Sequence, residues 1–227
     1  LVFYDALLPS VADYRQYGKV SGAGVALGYA GSIAGIAMIS PFVHVGGEVL
    51  RHRAFIPTAV LFLIFALPCF LWVREKKEAL RGSIAGALWR QSWESVQKYP
   101  GVLSYLAVMF LVQNAVNTII LFMGVYSVEV GGFTQERLNI FFMTATAVAL
   151  VTAYFQGRLV DRWGPRIVFR GVLWVWILAL LMAAFSFGQI SFWATGCLIG
   201  VGLGGLWTSS RPLLLSLVPG EESATFF

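Results

Sequence analysis

GRLVDRWGPR, Gly157 to Arg166, sets three arginines and an aspartate into ten residues. On either side lie two almost uninterrupted apolar runs, Ile140 to Phe155 and Ile167 to Phe187. Charge gathered between two such runs marks a connection at the water boundary between two segments that avoid water. The same alternation extends in both directions from this stretch, and it decides the fold.

Of 227 residues, 58% are hydrophobic, 15% aromatic and only 12% charged. An ordinary soluble domain carries about a quarter charged residues, so the composition points to lipid as the solvent. A helix needs about 20 apolar residues to cross a bilayer. Six tracts meet that length: Val20 to Val43, Phe55 to Val73, Val102 to Val128, Ile140 to Gln156, Ile167 to Phe187 and Phe192 to Ser210. Lipid offers no partner to backbone N–H and C=O groups, and these tracts exceed the length of barrel strands, so each is expected to be a helix. The fold class is therefore all-α, a multi-pass transmembrane helical bundle of about six spans.

Lysines and arginines fall in alternate loops, a bias that sets orientation. Thirteen lie on one side, among them Arg15, Lys19, Arg74, Lys98, Arg158, Arg162, Arg166, Arg170 and Arg211, against Arg51, Arg53 and Arg137 on the other. The richer side is expected to be cytoplasmic, which puts GRLVDRWGPR in a cytoplasmic turn and both ends of the chain in the cytoplasm. The net charge of +5 then needs no nucleic acid as partner; basic residues at the inner leaflet meet anionic headgroups. The chain opens on LVFYDALLP and closes on SATFF, and both ends read as cuts through something longer.

Residues 74–100 form the longest polar connection. Leu80, Ile84, Leu88, Trp89, Trp93 and Val96 recur at intervals near three and four, predicting an amphipathic helix on the membrane surface. It divides the chain into residues 1–73, the end of one bundle with two spans, and residues 101–227, part of a second with four. A faint likeness between ALLPSVA at Ala6 to Ala12 and LLLSLVP at Leu213 to Pro219 fits a repeated six-helix unit. Two spans are rich in small residues: Gly24, Gly28, Gly31 and Gly35 in the first, and Gly196, Gly200, Gly202, Gly204 and Gly205 in the last. Such spacing clears a helix face for close approach, either as static packing or as a surface that slides.

Chemistry has few seats. Cys69 and Cys197 lie inside spans and read as apolar filler, and no HExxH, CxxC or GxSxG pattern occurs, so no catalytic residue, metal or cofactor is assigned. In the third span Gln113, Asn114, Asn117 and Thr118 lie near the midpoint at spacings of four. Polar groups at that depth are costly unless they face a cavity or another helix, which makes them candidates for a solute cavity. Tyr29, Thr144, Thr146, Tyr154 and Trp207 are weaker candidates for the same cavity. The central parts of the spans hold almost no ionisable residue, leaving no visible proton relay.

GRLVDRWGPR resembles the signature loop of the major facilitator superfamily. Gly157, Asp161, Arg162, Gly164 and Arg166 match its glycine, aspartate and basic positions, while Pro165 stands where a basic residue is usual. The resemblance implies a conformational gate, with Gly157 admitting a close helix, Gly164 allowing a turn, and Asp161 pairing with an arginine or capping a neighbouring helix. Within that superfamily, FYDALLPSVA, GKVSGAGVALGYAGS, QNAVNTIILFMGVYSVEVGGF and SSRPLLLSLVPGEESATFF look like the vacuolar amino-acid effluxer family, the autophagy-related effluxers and their bacterial relatives. Relatives often carry aspartate and glycine where this chain has Asn114 and Ala115.

That resemblance implies spans five to ten of twelve, with the remaining spans supplied by the same protein. It implies a secondary transporter that rocks two bundles to export amino acids or similar small solutes. The expected location is a bacterial cytoplasmic membrane, or a vacuolar membrane in a eukaryote. A non-transporting sensor or scaffold that keeps the fold is the alternative; an enzyme is not expected.

Overall fold

The computed structural model describes residues 8, 12–45, 48–49, 51–72, 99–185 and 188–218. Among them six α-helices follow one another: α1 Tyr17–Val43, α2 Phe55–Trp72, α3 Pro100–Glu129, α4 Gln135–Trp163, α5 Pro165–Ala184 and α6 Gln189–Leu215. Five are long and apolar enough to cross a membrane; α2, of 18 residues, is the short one. A two-residue antiparallel pairing, His44–Val45 with Glu48–Val49, tightens the connection from α1 to α2. The expected amphipathic helix of residues 74–100 lies outside the described residues, apart from its last two positions.

The helix boundaries correct the expectation that GRLVDRWGPR is a turn. α4 does not stop where its apolar run ends near Gln156; it continues through Gly157 to Trp163. Charge does not break a helix, and nothing between Gly157 and Trp163 does either. The stop comes at Gly164, with φ of +88°, which accepts a backbone conformation that a side chain would strain. Pro165 then opens α5, where its missing N–H costs nothing. The turn is therefore a single residue, and Gly157 to Trp163 are the last two turns of a helix.

α6 is the centre of the bundle, flanked by α4 on one side and α5 on another, with α1 lying across α4 and α6. Its glycines make this possible. A Cβ on Gly204 would stand 2.6 Å from the Ala149 carbonyl oxygen, and one on Gly202 would stand 2.8 Å from the Trp176 indole. The glycines of α1 behave differently from expectation: Gly28, Gly31 and Gly35 have nothing within 4 Å. The close approach is made by Gly18 and Gly22, which meet Gly157 and Ala153 of α4. Spacing reveals which residues are small, but not which face of α1 meets a neighbour.

Away from the Gly164 turn, Phe133, Phe141, Phe192 and Trp193 form an aromatic cluster with ring centroids 5.6 to 5.9 Å apart. Tyr126 of α3 stacks 5.5 Å from Phe192 and donates its hydroxyl to the Ala183 carbonyl at 2.7 Å. These contacts tie α3, α4, α5 and α6 together at that end. The outer faces are apolar and bare: Phe62 is 76% exposed and Leu121 is 74% exposed. Such a surface suits hydrocarbon, not water.

Gly204→Ala is expected to cost about 1–3 kcal/mol, because the added methyl must push two backbones apart. Gly171→Ala, in α5 with nothing within 4 Å, should gain about 0.5–1 kcal/mol from helix propensity. Thermal unfolding of the two purified variants should therefore move in opposite directions.

Candidate functional site

The functional geometry starts where α1 begins. The first N–H groups of any helix have no partner within it. At α1 the carboxylate of Asp161 accepts from the Gly18 N–H at 2.7 Å and from the Lys19 N–H at 2.9 Å. An anion there also meets the positive end of the helix dipole. Asp161 is thus a cap supplied by α4 to a helix more than a hundred residues earlier in the chain. Arg162 and Arg166 flank it, both exposed.

Two further features close the same end. Gly18 and Gly22 let the backbone of α1 rest against Gly157; a Cβ on Gly157 would stand 2.5 Å from the Gly18 carbonyl oxygen and 3.1 Å from the Gly22 Cα. The other feature comes from Pro212, buried within α6. Proline has no N–H, so the carbonyl of Thr208, four residues earlier, loses its helical donor. The Ser21 hydroxyl of α1 donates to that carbonyl at 3.1 Å in a fully buried setting. Cap, glycine contact and serine bond together latch the first turns of α1 onto α4 and α6.

Beyond the latch α1 still runs beside α4, with Tyr29 next to Ala145 and Thr146, but one of its faces lies bare. Ser21 and Ala26 are buried, whereas Leu27 is 72% exposed and Ile36, Met38 and Phe42 are exposed further along. Directly past the latch, α1 and α6 enclose a groove of about 420 Å³ lined by Gly24, Gly28, Tyr29, Ser32, Trp207 and Arg211. A smaller apolar cavity of about 160 Å³ follows, bordered by Tyr29, Met123, Phe141, Thr146 and Gly196. On the far side of the latch, Arg15, Tyr17, Asp161, Pro165 and Pro212 border a cleft of about 430 Å³.

The four polar residues of α3 are not gathered in that groove. Val116 and Met123 mark the buried face of α3, and Gln113 flanks it, half-buried. Thr118 lies on the opposite side of the helix, exposed, with Asn117 also exposed and Asn114 set one turn before Thr118 on the same side. Asn114 donates to the Phe110 carbonyl at 2.7 Å and Thr118 to the Asn114 carbonyl at 2.8 Å, both within α3. Among the weaker candidates, Tyr29 and Trp207 line the main groove, and Thr146 lines the smaller cavity. Thr144 and Thr146 donate to carbonyls one turn back in α4, and the Tyr154 ring lies 4.1 Å from the Arg158 guanidinium on an exposed face. Sequence reasoning missed Ser21; the proline within the last span was the available signal that a carbonyl there needed an outside donor.

The family model of the Major Facilitator Superfamily matches residues 5–227. The chain belongs to the major facilitator superfamily. It is 27% identical, over its whole length, to the uncharacterised MFS-type transporter YxiO of Bacillus subtilis, covering 55% of that protein. An uncharacterised protein of Aquifex aeolicus is 25% identical over 98% of this chain and 54% of its own length. The multidrug resistance protein MdtG of Yersinia enterocolitica is 29% identical over 87% of this chain and 48% of its own. The chain thus spans about half the length of the curated relatives it matches. This superfamily comprises membrane transporters and not enzymes, and its multi-pass helical architecture is the one described above; the chain is an integral membrane protein.

Ser21→Ala should cost about 1–3 kcal/mol, since it leaves the buried Thr208 carbonyl without its donor. Pro212→Ala restores the helical N–H, so the cost of Ser21→Ala should shrink in that background. A double-mutant cycle of unfolding free energies reads the difference. Asp161→Asn, which removes the charge from the cap, should speed hydrogen exchange at the Gly18 and Lys19 amides about fivefold; unchanged protection there would mean that the cap contributes nothing.

Proposed function

We propose that this chain is part of a secondary transporter that works by alternating access, with the Asp161 end facing the cytoplasm. The observation that carries the reading is the asymmetry of α1: latched to α4 and α6 at one end, and past it bordering a groove with open space beside Gly28, Gly31 and Gly35. A passage sealed on one side and open on the other is what alternation requires. In this state the cytoplasmic side is the sealed one.

The latch suits a gate. Its parts are two amide bonds to one carboxylate in a partly exposed setting, one buried serine bond and a glycine contact, none of them large alone. Gly157, Asp161, Arg162, Gly164 and Arg166 form this gate in the proposal, and release of the cap from Asp161 frees α1 to tilt. Residues 1–73 then belong to one bundle, 74–100 to the cytoplasmic linker and 101–227 to the other, with α1 as the first bundle's contact on the second. Asn114, Asn117 and Thr118 face the part of the cavity that further spans of the protein complete, with Gln113 at its edge. The effluxer resemblance supports amino acids or similar small solutes as cargo, moving outward.

The test is counterflow in vesicles holding the full-length protein. Labelled solute should accumulate against unlabelled solute, and Asp161→Asn should slow the exchange several-fold while solute binding persists. Binding without any flux, across a panel of amino acids and drug-like solutes, would replace the transporter with a sensor that keeps the fold.

A further inference from the structure

We propose that the outward face of α5 binds an anionic phospholipid, its phosphate held by Arg166 and Arg170 and an acyl chain lying along Trp174, Ile177 and Leu181. These five residues recur at intervals of four, four, three and four, which sets them on one face of a helix. All five are exposed, Trp174 at 69%. The other face, with Val168, Phe169, Val172, Trp176 and Ala179, is buried, and it packs against α6 where Trp176 meets Gly202. Two tryptophans only two residues apart therefore have opposite surroundings.

Depth makes the arginines costly. α5 has 20 residues, and at that length a helix covers about 30 Å, no more than the hydrocarbon core. Arg166 lies in its first turn, but Arg170 lies about 8 Å inside its start. A guanidinium at that depth bends back toward the headgroups and needs an anion there. The protein does not supply one: α5 holds no aspartate or glutamate and no side chain caps its start. Asp161 already accepts from the Gly18 and Lys19 amides, and neither arginine is paired with a carboxylate among the described residues. Nor does the helix compensate, since its dipole is positive at the same end.

A lipid phosphate supplies the missing charge, with oxygens that match the planar fork of arginine. The Trp174 indole, one turn beyond Arg170, has an apolar body and one N–H donor, which suits the ester zone between phosphate and chain. From Arg170 to Leu181 the helix advances about 17 Å, close to half the hydrocarbon thickness. This order, charge and then an apolar strip one leaflet long, favours a lipid over a soluble phosphate compound, which would leave the strip bare. A zwitterionic headgroup brings its own ammonium to the phosphate, so the two arginines favour an anionic one. The inference rests on insertion in a membrane and not on transport.

The test uses full-length protein from bilayer nanodiscs holding equal amounts of phosphatidylglycerol and phosphatidylcholine with the same chains, and native mass spectrometry reads the lipid retained. Wild type is expected to favour phosphatidylglycerol by about tenfold or more, and Arg166→Gln or Arg170→Gln should each lower that preference about fivefold. Arg15→Gln with Arg158→Gln, which removes two charges from the same end of the bundle but none from α5, should change it less than about twofold. Glycerol 3-phosphate, a phosphate without a chain, should not displace the lipid. Equal retention of both lipids by wild type overturns the proposal even if the arginine variants do not fold. An undiminished preference in those variants, an equal loss in the Arg15 and Arg158 control, or displacement by glycerol 3-phosphate overturns it too. Retention of no lipid would mean that further spans of the protein cover this face, which also overturns it. None of these readouts passes through solute flux, so counterflow judges the transporter reading separately.

Discussion

Everything that distinguishes this bundle from a simple packing of apolar helices depends on the contact of α1 with Gly157. Lipid gives helices no hydrophobic reason to associate, so close packing and scarce polar bonds must hold them. Gly18, Gly22 and Gly157 let two backbones touch, and only because they touch do the first amides of α1 reach the Asp161 carboxylate and Ser21 reach the Thr208 carbonyl. A side chain at Gly157 would remove all three interactions at once. The polar bonds are consequences of the glycine contact, and they turn a smooth surface into a registered one.

Two departures from regular helix chemistry are resolved at the same crossing. α1 begins with amides that no helix can satisfy internally, and α6 contains a proline that orphans one of its carbonyls. Donors are in surplus at the first site and an acceptor at the second. The crossing supplies an acceptor from α4 and a donor from α1, so each defect becomes a point of attachment. The opposite end of α3 to α6 is held in another way, by aromatic rings and the Tyr126 hydroxyl. The rings of that cluster all come from α3 to α6 and the connection between α3 and α4, so among the described residues α1 takes no part in it.

The spans are legible in the sequence because about 20 residues without charge fit a lipid-crossing helix and little else. Their ends are less so. The arginines after Gln156 suggest a loop, but a helix leaving the membrane keeps its hydrogen bonds in water, and the true stop is written in Gly164 and Pro165. The candidate glycines of α1 share their spacing with Gly18 and Gly22, so periodicity alone gives no means of choosing between them. The partner of Asp161 is set by tertiary contact, and no local pattern names a helix start more than a hundred residues away. Asn114 and Thr118 do share one side of α3, as their spacing implies, but which side faces the described helices depends on Val116 and Met123, apolar residues that look like any others in the span.

The position of the groove relative to the latch has a thermodynamic consequence. A ligand shifts a conformational equilibrium only by its difference in affinity between the two states. Tyr29 and Ser32 belong to α1, while Trp207 and Arg211 belong to α6, so a molecule held by both helices senses any change in their separation. If α1 tilts when its cap on Asp161 is released, the groove walls move while the glycine crossing acts as the pivot nearest them. Reversing a population from about 1:99 to 99:1 needs about 5.5 kcal/mol of differential binding. A weak latch lowers what the ligand must supply, and a strong one would lock the bundle in a single state. In the proposed transporter the modest chemistry at Gly18, Ser21 and Asp161 suits a ligand-driven switch: strong enough to define a closed end, and weak enough for a small solute to open it.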